Sequence, residues 1–110
     1  MDIKNTLAAF AALSQETRLD VFRLLVQAGK QGMLSGEIGE RLKVRQNTMS
    51  TNLTILLNAG LVRNEREGRA VRYFADYEGI HGLLGFLMED CCGGNPELCQ
   101  PVIDQIACAN

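Results

Sequence analysis

Residues 34 to 62, L-S-G-E-I-G-E-R-L-K-V-R-Q-N-T-M-S-T-N-L-T-I-L-L-N-A-G-L-V, decide the fold of this chain. Leu34, Ile38 and Leu42 recur every fourth residue, the spacing of one helix face, with Ser35 placed as an N-cap. Lys43, Val44 and Arg45 interrupt that series. A second apolar series follows, with Met49, Leu53, Leu56 and Leu57 on one side, until Gly60 stops it as a C′ glycine would. Two short helices joined by a tight turn are the sequence pattern of a helix-turn-helix.

The second helix carries the sharper chemical signal. No charged residue occurs between Gln46 and Val62. Opposite Met49 and Leu53 stand Asn47, Ser50, Thr51, Thr54 and Asn58. Solvated helix faces usually carry Glu and Lys. A face of small neutral hydrogen-bonders suits the major groove, where amides and hydroxyls meet base edges and a carboxylate would oppose phosphates.

Working outward, charge is sorted along the chain. The net charge of the 110 residues is −2, which by itself argues against a polyanionic partner. Residues 1–40 carry net −1, residues 41–74 net +5 and residues 75–110 net −6. The central block holds Arg41, Lys43, Arg45, Arg63, Arg66, Arg69 and Arg72 against Glu65 and Glu67. Positive charge therefore lies in and just after the helix-turn-helix, where phosphate contacts are needed.

After Gly60, two extended runs flank R-E-G-R at 66–69, a β-hairpin with a glycine-bearing turn. A hairpin in that position is a wing, and Arg66 and Arg69 at its tip are placed to reach phosphates or the minor groove. Before the central stretch, residues 5–13 read as a first helix, with Ile3, Leu7, Phe10 and Ala11 on one stripe. Residues 15–28 read as a second, capped by Ser14, with Leu19, Phe22, Leu25 and Val26 at helical spacing. Both are expected to supply the core. Asp76 caps a last long helix, residues 77–91, on which Ile80, Leu83, Leu84, Leu87 and Met88 form an apolar stripe. That surplus stripe, with the N-terminal helix, is expected to join two copies so that paired recognition helices enter successive major grooves.

The expected fold class is mainly α with a β-hairpin wing: a dimeric winged helix-turn-helix over residues 1–92 and a cysteine-bearing tail over 93–110. Within it the helix-turn-helix occupies about 34–60 and the wing about 61–75. No apolar run approaches the ~18 residues of a membrane span, so no membrane partner is expected. Residues 7–13 resemble a short signal-peptide core, but Asp2 offsets Lys4 and no small-residue cleavage site follows. A cytoplasmic location is expected, where the four cysteines stay reduced. No phosphate loop, Ser/His/Asp set or glycine-rich nucleotide loop is present, and the expectation is that the chain is not an enzyme.

Those cysteines are confined to the last twenty residues: Cys91, Cys92, Cys99 and Cys108. Gly93-Gly94 breaks the helix and Asn95-Pro96 turns the chain, which would bring Cys99 back to the adjacent pair. Three converging thiolates suit a soft, thiophilic ion. Trivalent arsenic takes three sulfurs in a pyramid. Structural zinc wants four ligands, which Cys108 would have to complete. The competing chemistry is a disulfide, Cys92–Cys99 or Cys99–Cys108, made on oxidation. His81 is the only histidine and reads as a helix-surface residue.

The run A-L-S-Q-E-T-R-L at 12–19, the segment Q-N-T-M-S-T-N-L-T-I-L-L-N-A-G-L-V at 46–62 and the wing G-R-A-V-R-Y-F at 68–74 resemble the ArsR/SmtB metal-sensing repressors. The resemblance covers residues 7 to about 87. It implies a dimeric winged helix that represses an operon until an inducer binds, with Gln46, Asn47, Ser50 and Thr51 facing operator DNA. Arg45 precedes them as a phosphate contact. Lys43 and Arg45 stand where such proteins often have Gly and a Ser cap. The C-x-C pair that one arsenic-sensing type carries in the first helix of the motif is absent from residues 34–42. A lone His81 cannot supply the zinc site of another type. The remaining type holds As(III) on a vicinal cysteine pair and a third cysteine, which map onto Cys91, Cys92 and Cys99, with Cys108 as a further candidate. The resemblance thus implies As(III), or similar Sb(III), as inducer and no organic cofactor. The alternatives are a thiol-based redox or persulfide sensor, or a sensor of Cd, Pb or Zn.

Overall fold

The computed structural model describes residues 2–89 and 95–106. Its chain order is α1 (Ile3–Leu13), α2 (Glu16–Ala28), a 3-10 turn (Gly29–Gln31), β1 (Met33–Leu34), α3 (Ser35–Leu42), α4 (Gln46–Asn58), β2 (Val62–Glu67), β3 (Ala70–Ala75), α5 (Tyr77–Leu87) and α6 (Pro96–Ile106). The helix-turn-helix expected from the central stretch is α3 and α4, and the wing is β2 and β3. The architecture is a winged helix-turn-helix, mostly helical, with a three-stranded antiparallel sheet in the order β1-β3-β2.

The core forms where α2, α3, α4 and the base of the hairpin meet. Val21, Leu25, Ile38, Met49, Leu53, Leu56 and Leu61 are fully enclosed there. Met49, Leu53 and Leu56 fall on one face of α4 because they recur at three and four residues. On α2 the buried pair is Val21 and Leu25, while Leu19 and Val26, expected inside, lie exposed.

The third strand is new relative to the sequence reading. Met33 pairs with Tyr73 and Leu34 with Arg72, so Leu34 belongs to β1 rather than to the apolar face of α3. The N-cap shifts with it. Leu34, not Ser35, precedes the helix, and the carboxylate of Glu37 accepts from its backbone N–H at 3.0 Å. Two residues of strand are too few for any periodicity to announce. Gly32, with φ +58°, permits the entry: a Cβ there would strike the Tyr73 carbonyl and the Phe74 ring.

Local rules explain the remaining boundaries. Asp2 caps α1 and Asp76 caps α5 by accepting backbone N–H bonds. Gln15 caps α2, while Ser14 instead donates to Ala11 O and closes α1. The hairpin turn is Gly68–Arg69, two residues with positive φ at Gly68 alone, as a type II′ turn requires; the first strand therefore runs further than expected, to Glu67, while the second starts at Ala70 as expected.

Three expectations about the outer helices need correcting. The stripe Ile3, Leu7 and Phe10 does not enter the core; α1 docks instead through Thr6, Ala9 and Ala12, whose small side chains let the helices approach closely. Residues 96–106, expected as part of a tail, form α6. Pro96 occupies its first turn, where a missing N–H costs nothing, and Asn95 O accepts from Leu98 N. The last long helix, expected to residue 91, ends as α5 at Leu87. Among the described residues, no helix is long and apolar enough to cross a membrane.

Candidate nucleic-acid interface and the cysteine segment

The α3–α4 turn is built on a close approach. Lys43 takes the left-handed conformation, φ 57° and ψ 47°, at a cost of about 1–2 kcal/mol for a residue with a side chain. Val44 N then donates to Gly39 O at 2.9 Å. Gly39 makes this possible, since a Cβ would collide with the Gln46 amide and press on the Val44 carbonyl. Arg45 stands at the N-cap of α4 without a side-chain cap bond. The missing cap is partly replaced by Asn47, whose Oδ1 accepts from Thr48 N at 2.8 Å.

This geometry sorts the expected base-facing residues. Gln46, Asn47, Ser50, Thr51 and Thr54 are all exposed on the side of α4 away from the core. Gln46 spends one amide hydrogen on Ser35 O at 3.2 Å, tying the start of α4 to the start of α3. Thr51 and Thr54 donate to Asn47 O and Ser50 O within their own helix. Their hydroxyl oxygens keep lone pairs for incoming donors, and the face presents no charge.

The cations divide just as clearly. Among the described residues the ion pairs are Arg63 with Glu65 at 3.3 Å and Arg72 with Glu67 at 2.7 Å. Both hairpin carboxylates are thereby partnered within the wing. Arg72 also donates to Gln31 O at 3.1 Å, and its bond to Glu67, with the charges of Glu67 and Glu37, raises its pKa. Arg63 lies over the Phe74 ring, 4.2 Å from its centroid. Arg66 and Arg69 at the hairpin tip take no part in these pairs, and neither do Arg41, Lys43 and Arg45 around the turn. All five are exposed. A neutral reading face thus lies between two groups of available cations.

Sequence pattern passes over one residue here. Asn52 sits on the buried side of α4 at 7% exposure, and its Oδ1 accepts from Arg18 Nη1 at 3.1 Å. The signal was present: an amide at i+3 from Met49 and i−4 from Leu56 interrupts an otherwise apolar face.

Of the sulfur set, Cys91, Cys92 and Cys108 lie outside the described residues. Cys99 is on α6, 5% exposed and disulfide-bonded. His81 is exposed on α5, as expected. Among the described residues no three His, Cys, Asp or Glu side chains group as metal ligands.

A helix-turn-helix domain family matches residues 13–65. The chain is 37% identical over 90 residues to an uncharacterized HTH-type transcriptional regulator, YbzH, of Bacillus subtilis (strain 168), covering 71% of this chain and 90% of that protein. It is 35% identical over 83 residues to the arsenical resistance operon repressor of the same strain, covering 76% and 75%. Among solved structures it is similar to an ArsR-like transcriptional regulator from Rhodococcus sp. RHA1, with TM-score 0.69, 27% identity and coverage of 97% and 96%.

Proposed function

The chain belongs to the ArsR family of helix-turn-helix transcriptional regulators, and from that premise we propose that it is a homodimeric, cytoplasmic repressor released from operator DNA by As(III). The observation that carries the DNA-binding half is the uncharged, exposed face of α4 between cations left unpaired at the turn and the wing tip. Asn47, Ser50 and Thr51 read base edges. Arg45, Arg66 and Arg69 hold phosphates, and Gln46 sets the entry angle through Ser35 while keeping its carbonyl free.

Self-association is supported by the outer face of α1 and α5. These helices pack side by side, and Ile3, Leu7, Phe10, Leu84, Leu87 and Met88 remain exposed on them. Burying such a stripe against a second copy is the physical use for it, and a two-fold pair would present two α4 helices to one side of a duplex.

Effector choice rests on the cysteine chemistry and on the arsenical resistance operon repressor among the relatives. Thiolates of Cys91, Cys92 and Cys99 would hold As(III), or Sb(III), through three sulfurs. Cys108 is left without an assigned part. Capture draws the C-terminal segment toward α5, and the shift weakens operator binding by a coupling of about 1–3 kcal/mol. By linkage, operator DNA lowers arsenite affinity by the same factor.

One observation favours a second reading. Cys99 is disulfide-bonded, and a sulfur so bonded has no thiolate to offer until it is reduced. A thiol-redox regulator of the same fold would use that bond as its signal. Gel shifts on operator DNA decide between the two, with arsenite, antimonite, cadmium, lead, zinc and peroxide compared in the presence of reductant or, for peroxide, in its absence. Release by arsenite under reductant, lost when Cys91, Cys92 and Cys99 are replaced by Ser, is the expected result. Release by peroxide alone establishes the redox reading instead. Loss of DNA binding in the Ser variant would make the cysteines structural.

A further inference from the structure

Arg18 is a cation in the wrong place for its own helix. It lies in the first turn of α2, where the macrodipole disfavours positive charge. Its guanidinium serves other elements. Nε donates to Ala12 O at 2.7 Å, one of the carbonyls that α1 leaves open at its C-terminus, where a cation is favoured. Nη1 donates to Asn52 Oδ1 at 3.1 Å on the inward face of α4. One side chain therefore closes α1 and grips the middle of α4.

Asn52 is equally conspicuous. Its neighbours on that face, Met49, Leu53 and Leu56, are fully buried. A buried amide without its partner costs about 1–3 kcal/mol, and a leucine there would cost nothing of the kind. The pairing is directional, unlike the apolar contacts around it. Met49, Leu53 and Leu56 would tolerate a small rotation or slide of α4. A hydrogen bond from a guanidinium already fixed on Ala12 O would not. Since Asn47, Ser50, Thr51 and Thr54 lie on the opposite side of the same helix, its rotation decides which of them enters the groove.

We propose that Arg18 is a positioning residue for operator recognition: through Asn52 it sets the rotation and depth of α4 relative to α1. This rests on the reading of α4 as the recognition helix. A partly exposed arginine next to a DNA-binding motif would ordinarily be assigned to phosphate. The two roles differ in salt dependence, because taking one cation off a phosphate reduces the slope of log K against log salt by about 0.9.

The test uses the full chain and a duplex selected from random sequence by the wild-type protein. Specific and non-specific affinities are measured over a range of salt, together with thermal stability. Asn52→Ala and Arg18→Gln are expected to lose about tenfold or more in specific affinity, the scale of one base contact, with non-specific affinity and salt slope unchanged. Asn52→Asp, whose carboxylate accepts the same bond, should restore binding to within about twofold, under the tenfold that one base contact represents. Should the single variants unfold, the double variant Arg18→Met with Asn52→Leu replaces the buried polar pair by apolar groups of similar size, a change proteins often tolerate. Folded, it too should lose specific affinity. Wild-type affinity in the folded double variant, or in Asn52→Ala, overturns the proposal. So does a drop in slope of about 0.9 in Arg18→Gln, which would place Arg18 on phosphate. If the wild-type chain selects no duplex at all, the reading of α4 as a recognition helix fails first, and this inference with it.

Discussion

Two outer surfaces of this molecule are exposed to the same solvent and have opposite chemistry. The outer face of α4 shows Asn47, Ser50, Thr51 and Thr54, with arginines to either side. The outer face of α1 and α5 shows Ile3, Leu7, Phe10, Leu84, Leu87 and Met88. Neither is what a solvated helix normally carries, which is a mixture of Glu and Lys. One lacks charge while offering hydrogen bonds; the other is dominated by large apolar side chains. The first suits base edges bounded by phosphate, and the second suits its own copy. Exposure makes a surface available, and the side-chain chemistry says what meets it.

Substitutions can break this contrast in graded steps. The largest effect is expected from Leu87→Glu. A carboxylate forced into an apolar junction without a partner costs at least about 3 kcal/mol, so sedimentation at micromolar concentration should show monomers. Operator affinity should fall by about a hundredfold or more, because a monomer engages one half-site. A variant that stays dimeric would remove the apolar face from the interface. Next comes Gly79→Ala, at the joint between the surfaces. A Cβ there would run into the backbone carbonyl of Gly60 at the end of the helix-turn-helix. Overpacking against backbone is expected to lower stability by about 2–3 kcal/mol in chemical denaturation. An unchanged midpoint would mean that α5 and α4 are less firmly joined. Smallest is Asn47→Ala, expected to cost about 1–2 kcal/mol of specific affinity with no change on unrelated duplex. Equal loss on both would assign Asn47 to the DNA backbone.

The two surfaces also differ in how far the sequence discloses them. The polar face of α4 is legible because its neighbours fix the helical phase: Met49, Leu53 and Leu56 name the buried side, so the rest must face out. Both arginines of the wing tip are legible for a similar reason, since Gly68 marks the turn. By contrast, Ile3, Leu7 and Phe10 give the right periodicity and the wrong destination. An apolar stripe says that a helix buries a face, not whether the same chain covers it. On α1 the answer comes from Thr6, Ala9 and Ala12, whose small size is unremarkable in sequence but allows close packing. β1 is hidden by its length. The tie from Arg18 to Asn52 spans 34 positions, beyond any local pattern. Residues 96–106 escape a helical reading because Gly93, Gly94 and Pro96 look like breakers, and Pro96 in fact begins a helix. The thiol set remains a chemical argument, in which Cys99 alone lies among the described residues.

β1 has a consequence for how any signal could work. By pairing with β3 while running directly into α3, its two residues stitch the wing to the helix-turn-helix, and Arg72 adds a second stitch to Gln31 O. Finger and probe are thus cast as one rigid piece, leaving little freedom to tilt either against the other. In a two-fold pair, a stimulus arriving from the C-terminal segment would have to move whole reading heads apart or together. The DNA itself then acts as the gauge, for successive major grooves on one side recur only every ~34 Å.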